Sequence, residues 1–260
     1  MKNEYKKFPD DFFSTLLEYK HTTSRLNKIL ILDYQKYTQE GASYNSNSSL
    51  FLSDWTGETD NGWALPFHSG ISKETLKENY KNEIFNILSR EFCLVYSQSY
   101  EALEKYFKDC VFYKAEYDIE FQEIIKRKFN IEGKIKREDI KGGENLYKLV
   151  KRVGNTTLQN FSKNNNVNIK FGELINILSE VRHSIVHSKS VIDKTKIKKT
   201  NYHFEIFKYL FNYSEINNEQ IKIELDIKKF EHLNGVLVEF AFQIYKAISI
   251  EESLIWNHEN

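Results

Sequence analysis

Three separate stretches of this chain repeat nearly the same apolar step. Phe171, Leu174, Leu178, Val181 and Ile185 advance by 3, 4, 3 and 4 residues. Ile84, Leu88, Phe92 and Val95 form a second such series, and Leu233, Leu237, Phe240, Ile244 and Ile248 a third. That period draws one apolar seam along an α-helix. Each seam must be covered, and three helices that can cover one another predict a helical bundle. Helix breakers are scarce enough to permit it, with 2 Pro and 10 Gly in 260 residues. The composition, 40% hydrophobic and 15% aromatic, can fill a core and is not that of a disordered chain. The length is long for one core and short for two, which suggests one domain with an extension.

The remaining elements follow from pattern and punctuation. Residues 10–39 read as a helix through Phe12, Phe13, Leu16, Leu17 and Leu26. Residues 40–70 carry Gly, Ser and Asn clusters and read as irregular, with a short strand at "SLFL". Trp55 and Trp63 are expected to anchor that segment on the main body, with an aromatic clamp for a base as the alternative. Helices are expected over 72–95 with Ser72 as N-cap, over 98–114, and over 118–130. A polar connection at 130–145 leads to a basic amphipathic helix at 145–163, a loop at 164–168 and a helix at 171–187. Residues 202–227 alternate around "INNEQ" and predict a β-hairpin, followed by a long helix at 227–256. The fold class is therefore mainly α, a helical bundle with a β-hairpin inserted before the last helix and an N-terminal extension. The domain boundary falls between an N-terminal helix with its irregular extension, 1–71, and a helical domain, 72–260.

Several chemistries lack their residues. Cys93 and Cys110 stand apart in helical sequence, with no CxxC, so neither a disulfide framework nor a zinc knuckle is expected. A reducing cytoplasm is the expected location. The start "MKNEYKKFPDDFF" has no apolar core of a signal peptide, and no membrane span is expected. The net charge is zero, from 37 basic and 37 acidic residues. Residues 141–200 nevertheless hold 12 Lys and Arg against 4 Asp and Glu, a local excess of +8. A neutral chain with one basic third can present a phosphate-binding surface; the plainer alternative, a solvated lysine loop, fits "DKTKIKKT".

Within that third, "EVRHSIVHSKS" packs one arginine and two histidines into six positions. With Leu178 at 0° and about 100° per residue, Asn176, Glu180, His183 and His187 fall at roughly 160°, 200°, 140° and 180°. They make a polar stripe opposite the seam, while Arg182, near roughly 40°, lies at the margin of the apolar side. Three readings compete. His183 and His187, at i and i+4, have the spacing of two zinc ligands, with Glu180 as a candidate third, although Ser184 stands where zincins carry Glu. They are equally two solvated surface histidines. Or they perform acid–base chemistry on RNA, where the 2′-hydroxyl is the nucleophile, histidine moves protons at neutral pH and a guanidinium holds the phosphate.

"RHSIVH" at 182–187 resembles the R-x4-6-H motif of the HEPN superfamily, and His183 matches the polar residue that often follows the arginine there. The resemblance extends over roughly 72–256, through the paired helical stretch "NILSREFCLVYSQSYEALEKYFKDC" and the closing stretch "LDIKKFEHLNGVLVEFAFQIYKAI". It implies an all-helical, HEPN-like domain and a metal-independent endoribonuclease of the toxin–antitoxin, abortive-infection or antiphage type, or else a non-catalytic module that binds RNA, a nucleotide or a protein. It implies Arg182 on the phosphate, His187 as acid–base and His183 in support. Lys189 stands where some toxins of the family have Tyr, a departure from that subfamily. Because Arg182 and His187 lie about 140° apart on a straight helix, either the helix breaks before His187 or two copies share a site across a two-fold axis, the arrangement the family implies. A homodimer is thus expected, with no metal and no cofactor, and with a cognate antitoxin or defence partner as a further expectation. Lys151, Arg152, Lys189, Lys194, Lys196, Lys198 and Lys199 are the candidate RNA-backbone contacts.

Overall fold

A computed structural model describes residues 3–42, 46–56 and 66–257. The protein is mainly helical, with one sheet of two strands and one of three. It divides into two compact units, residues 1–24 with 89–260, and residues 25–88. Two long helices, α1 (Lys7–Tyr37) and α2 (Tyr80–Tyr117), each run through both units.

The larger unit is built on the predicted seams. Helix α2 does not stop near residue 97. Ser97 and Ser99 are buried in it, and the Ser99 hydroxyl donates to the Val95 carbonyl at 2.9 Å, so that hydroxyl is satisfied within the helix where the apolar pattern lapses. Opposite it lie α6 (Phe171–His187) and α9 (Ile227–Glu251). Phe92 stacks on Phe230 at 5.4 Å, and Phe171 meets Phe240 edge-on at 5.1 Å. The Tyr96 hydroxyl donates to the Leu178 carbonyl at 2.7 Å, and the Tyr106 hydroxyl to the Ala241 carbonyl at 3.1 Å, so each buried phenol has a partner. Each such large side chain contributes about 1.5–3 kcal/mol by leaving water.

Helix α3 (Ile119–Phe129) starts where its cap residue predicts, with the Asp118 carboxylate accepting from the Phe121 amide at 2.9 Å. The single helix expected over 145–163 is two, α4 (Glu144–Val153) and α5 (Asn155–Lys163). They part at Gly154, where a Cβ would lie 2.7 Å from Leu158 Cβ, and Asn155 takes a left-handed φ of 40°. After α6 come β3 (Val191–Asp193), the one-turn α7 (Lys194–Ile197) and α8 (Asn201–Leu210). The expected hairpin over 202–227 is therefore confined to β4 (Asn212–Glu215) and β5 (Gln220–Glu224), and 201–210 is helical. In α8 the buried positions are His203, Ile206, Phe207 and Leu210, a helical step whose first member is polar. The sheet order is β3-β5-β4, all antiparallel, and Ile192, Ile221 and Ile223 turn into the core. Helix α9 ends at Glu251, short of the expected 256. It has the length and hydropathy of a bilayer-crossing helix, and 56% of that stretch is buried within the protein, as in the core helix of a bundle.

The smaller unit contains the end of α1, the start of α2 and an antiparallel ribbon of β1 (Ser46–Ser53) and β2 (Pro66–Thr75). The strand at "SLFL" is present within β1. Ser72 is not an N-cap: it sits in β2 opposite Ser49, and α2 begins eight residues later, at Tyr80. The 71/72 boundary thus cuts a strand. Trp55 is 94% exposed and anchors nothing; Trp63 lies outside the described residues. Polar links tie the unit locally, with Lys73 paired to Glu83 and Lys77 donating to the Gln39 and Ala42 carbonyls at 2.9 and 2.8 Å.

Candidate functional site

The candidate site lies on the C-terminal half of α6. Its helix continues unbroken through His187, the last helical residue, so no kink brings His187 round toward Arg182. The buried face holds Leu178, Val181 and Ile185 as the seam predicts. His183 and His187 are exposed on the far side, their rings 4.6 Å apart.

Arg182 turns the other way. It is half-buried against α2, where its Nη2 donates to Glu101 Oε1 at 2.7 Å. Its Nε is buried with no partner among the described residues. Arg182 also exerts its positive field on the Tyr96 and Tyr100 phenols, although burial dominates both and pushes their pKa up, Tyr100 to about 12. One chain therefore presents the guanidinium and the imidazoles on different sides of one helix, as the wheel predicts.

The turn after His187 is held in a demanding conformation. Lys189 and Ser190 both take left-handed φ values, 52° and 66°, which cost non-glycine residues energy unless neighbours impose them. Ser190 is pinned at both backbone ends, its amide donating to the Ser184 carbonyl at 3.1 Å and its carbonyl accepting from the Ile223 amide at 2.8 Å. From there the chain returns along α6. Lys199 Nζ donates to Asn176 Oδ1 at 2.7 Å, which fixes one cation on the same stripe as the histidines. Asn176 and His183 are two turns apart, about 10 Å along the axis. Beyond it, buried His203 lies 2.6 Å through Nδ1 from Glu173 Oε2, and the Tyr202 hydroxyl accepts from the Lys170 amide at 2.7 Å.

The other candidate contacts scatter. Lys189, Lys196 and Lys198 are exposed, with Lys198 over the Phe204 ring at 5.6 Å. Lys194 is paired with Glu215 at 3.1 Å. Lys151 and Arg152 line a separate cleft of about 750 Å3 with Lys128 and Lys148, and none of the three motif residues reaches it. Glu101 and Asn176 are the site residues without a motif signal of their own; each is found only by its long-range partner. Glu180 shares the histidine stripe, but among the described residues no group of three His, Cys, Asp or Glu could hold a metal. Cys93 and Cys110 are buried and unpaired, and burial raises both thiols, Cys93 to about 12, so neither is a nucleophile at neutral pH.

No family model, curated protein or solved structure matches this chain.

Proposed function

We propose that the protein is a metal-independent endoribonuclease of the HEPN type, acting as a cytoplasmic toxin or antiphage effector. The observation that carries the reading is the histidine stripe: two exposed imidazoles 4.6 Å apart, on a helix whose polar face also holds the Lys199 ammonium. A phosphodiester along this stripe meets a cation for its backbone and imidazoles for its protons. One histidine takes the proton of the 2′-hydroxyl, and that oxygen attacks phosphorus. The P–O5′ bond breaks, and a second histidine protonates the leaving oxygen. The products are a 2′,3′-cyclic phosphate and a 5′-hydroxyl. Arg182 faces Glu101 rather than the imidazoles of its own chain, so the phosphate-binding guanidinium comes from a second copy, in a homodimer with the site on its two-fold axis.

The test is cleavage of RNA in EDTA. His187→Ala should slow it by about 10²–10⁴-fold, and Arg182→Ala should abolish the same product. Mixing the two inactive variants should restore activity through hybrid dimers. Wild-type rates from His187→Ala would end the catalytic reading. The Arg182–Glu101 pair favours a second reading, a module that binds RNA, a nucleotide or a partner protein without cutting, because the arginine already has an anion. That module gives salt-sensitive binding and no cyclic phosphate.

A further inference from the structure

The larger unit holds a second concave site, a cavity of about 370 Å3 between α5, the segment that follows it, the first turn of α6, Tyr209 of α8 and the middle of α9. Leu174 lines it, and Leu174 and Asn176 lie roughly 200° apart around α6, so this cavity and the histidine stripe occupy opposite sides of the helix. Its volume falls in the range of small-molecule sites, about 300–1,000 Å3.

The lining is sorted by chemistry. Phe171 and Phe240 are buried and form an aromatic floor, in edge-to-face contact at 5.1 Å. Phe161 and Tyr209, both partly exposed, stand as walls. Neighbouring amides have divided roles. Asn165 is committed to the loop itself, donating to the Phe161 and Ile169 carbonyls at 2.9 Å and accepting from the Ile169 amide. The side chains of Asn164, Asn166 and Gln243 make no hydrogen bond with the described residues. Glu239 adds a carboxylate without an ion-pair partner among those residues, and Lys246 an ammonium 4.1 Å from the centroid of Trp256 and 5.5 Å from that of Phe161.

We propose that this cavity binds a nucleoside monophosphate unit with an adenine base. The aromatic walls take the planar ring. A free amide of Gln243 or Asn166 matches the donor and acceptor of adenine N6 and N7. Glu239 accepts from the ribose hydroxyls, as carboxylates do in nucleotide sites, and Lys246 meets the phosphate. The unit comes either as a free nucleotide or as one residue of a single-stranded RNA. The inference does not depend on the nuclease reading, which concerns the other side of α6.

Calorimetry on the full chain, with Trp256 fluorescence as a local signal, tests it. The titrants are AMP, adenosine, ribose 5-phosphate, inorganic phosphate and a short oligoadenylate. AMP should saturate the site, adenosine should bind at least about tenfold more weakly, and phosphate alone should give no saturable heat. Glu239→Ala and Gln243→Ala, both outside the buried core, should each weaken AMP by about tenfold or more while leaving the melting curve in place. Tighter binding of oligoadenylate than of AMP assigns the site to an RNA chain, and the reverse order to a free nucleotide. Absence of AMP and oligoadenylate binding at millimolar concentration overturns the proposal. So does AMP affinity unchanged in both variants.

Discussion

The two units spend similar apolar residues in opposite ways. In residues 25–88, Tyr80, Ile84 and Leu88 are the buried apolar side chains among the described residues, while Phe51, Trp55, Phe67, Ile71 and Phe85 are exposed. In the larger unit, α2, α6, α8 and α9 bury most of their aromatic and aliphatic side chains, Phe92, Leu178, Phe207 and Phe230 among them, and leave a few such as Leu94, Val186 and Tyr209 exposed. A ribbon of two strands satisfies its backbone by cross-strand pairing but buries little, and such a ribbon is marginal alone in water. Among the described residues, the smaller unit thus has only the small apolar set of Tyr80, Ile84 and Leu88 and surface links such as Lys73–Glu83 to order it, while the larger unit has a large area removed from water.

The largest effect should separate the units directly. Phe207→Ala, at a fully buried position of α8, should cost about 3–5 kcal/mol in denaturant unfolding. Phe51→Ala, at a position 64% exposed in β1, should stay within about 0.5 kcal/mol. Equal losses would break the contrast. Amide exchange sharpens it: ribbon amides should exchange through local opening well below the global free energy, and α9 amides near it.

A smaller contrast lies within the larger unit, between two glycines. At Gly154 a Cβ meets Leu158 at 2.7 Å, so Gly154→Ala should cost about 1–3 kcal/mol. At Gly172, in the first turn of α6, nothing lies within 4 Å, and Gly172→Ala should stabilise by about 0.4–1 kcal/mol through the unfolded chain. Thermal melts of the two variants should move in opposite directions.

Acid should act on both units through carboxylates of the same kind. The amide of Phe121 holds the Asp118 carboxyl below its ordinary pKa, and Lys73 holds Glu83 below its own. A carboxyl depressed in the folded state contributes stability above its unfolded pKa, near about 4, and that contribution is lost as pH falls through the folded value. Asp118→Asn and Glu83→Gln should therefore each flatten the decline in stability below about pH 4. The Glu83 effect should register in exchange of residues 25–88, and the Asp118 effect in the larger unit. A decline as steep in the variants as in the parent would assign acid unfolding to other groups.

Legibility followed the same division. Helix α6 was readable to the residue, because its buried face is apolar except for Ser184, whose hydroxyl donates to the Val181 carbonyl, and its opposite face is polar. Helix α8 was not, because His203 occupies a buried slot; without it, Tyr202, Phe204 and Ile206 look like alternation. The break between α4 and α5 had only Gly154 to announce it, and the two helices read as one amphipathic run. The ribbon had almost no burial to imprint on its sequence, so β2 passed for the start of a helix. In the candidate site, the wheel placed Arg182 and the histidines on their sides of α6. Glu101 is 81 residues from Arg182 and Asn176 is 23 from Lys199, and no local pattern encodes either pairing.

The smallest effect bears most on function, and it compares the ion pairs of the two units. The two pairs expose opposite partners: Lys73 keeps 74% of its side chain exposed and Glu83 16%, whereas Arg182 keeps 28% and Glu101 54%. Because the Glu101 carboxylate stands in solvent, the pair gains little over two hydrated ions, and salt screens it further. Glu101→Gln should thus cost at most about 1 kcal/mol, and less at high salt, while leaving Arg182 in place through the packing of its stem against α2. On the nuclease reading, an arginine whose partner stands in solvent exchanges that carboxylate for a phosphate, so Glu101→Gln should tighten RNA binding rather than weaken it. A cost above about 2 kcal/mol in denaturant unfolding would reverse that inference, because the pair would then be a fixed strut between α2 and α6 and the guanidinium would not be free to meet a substrate.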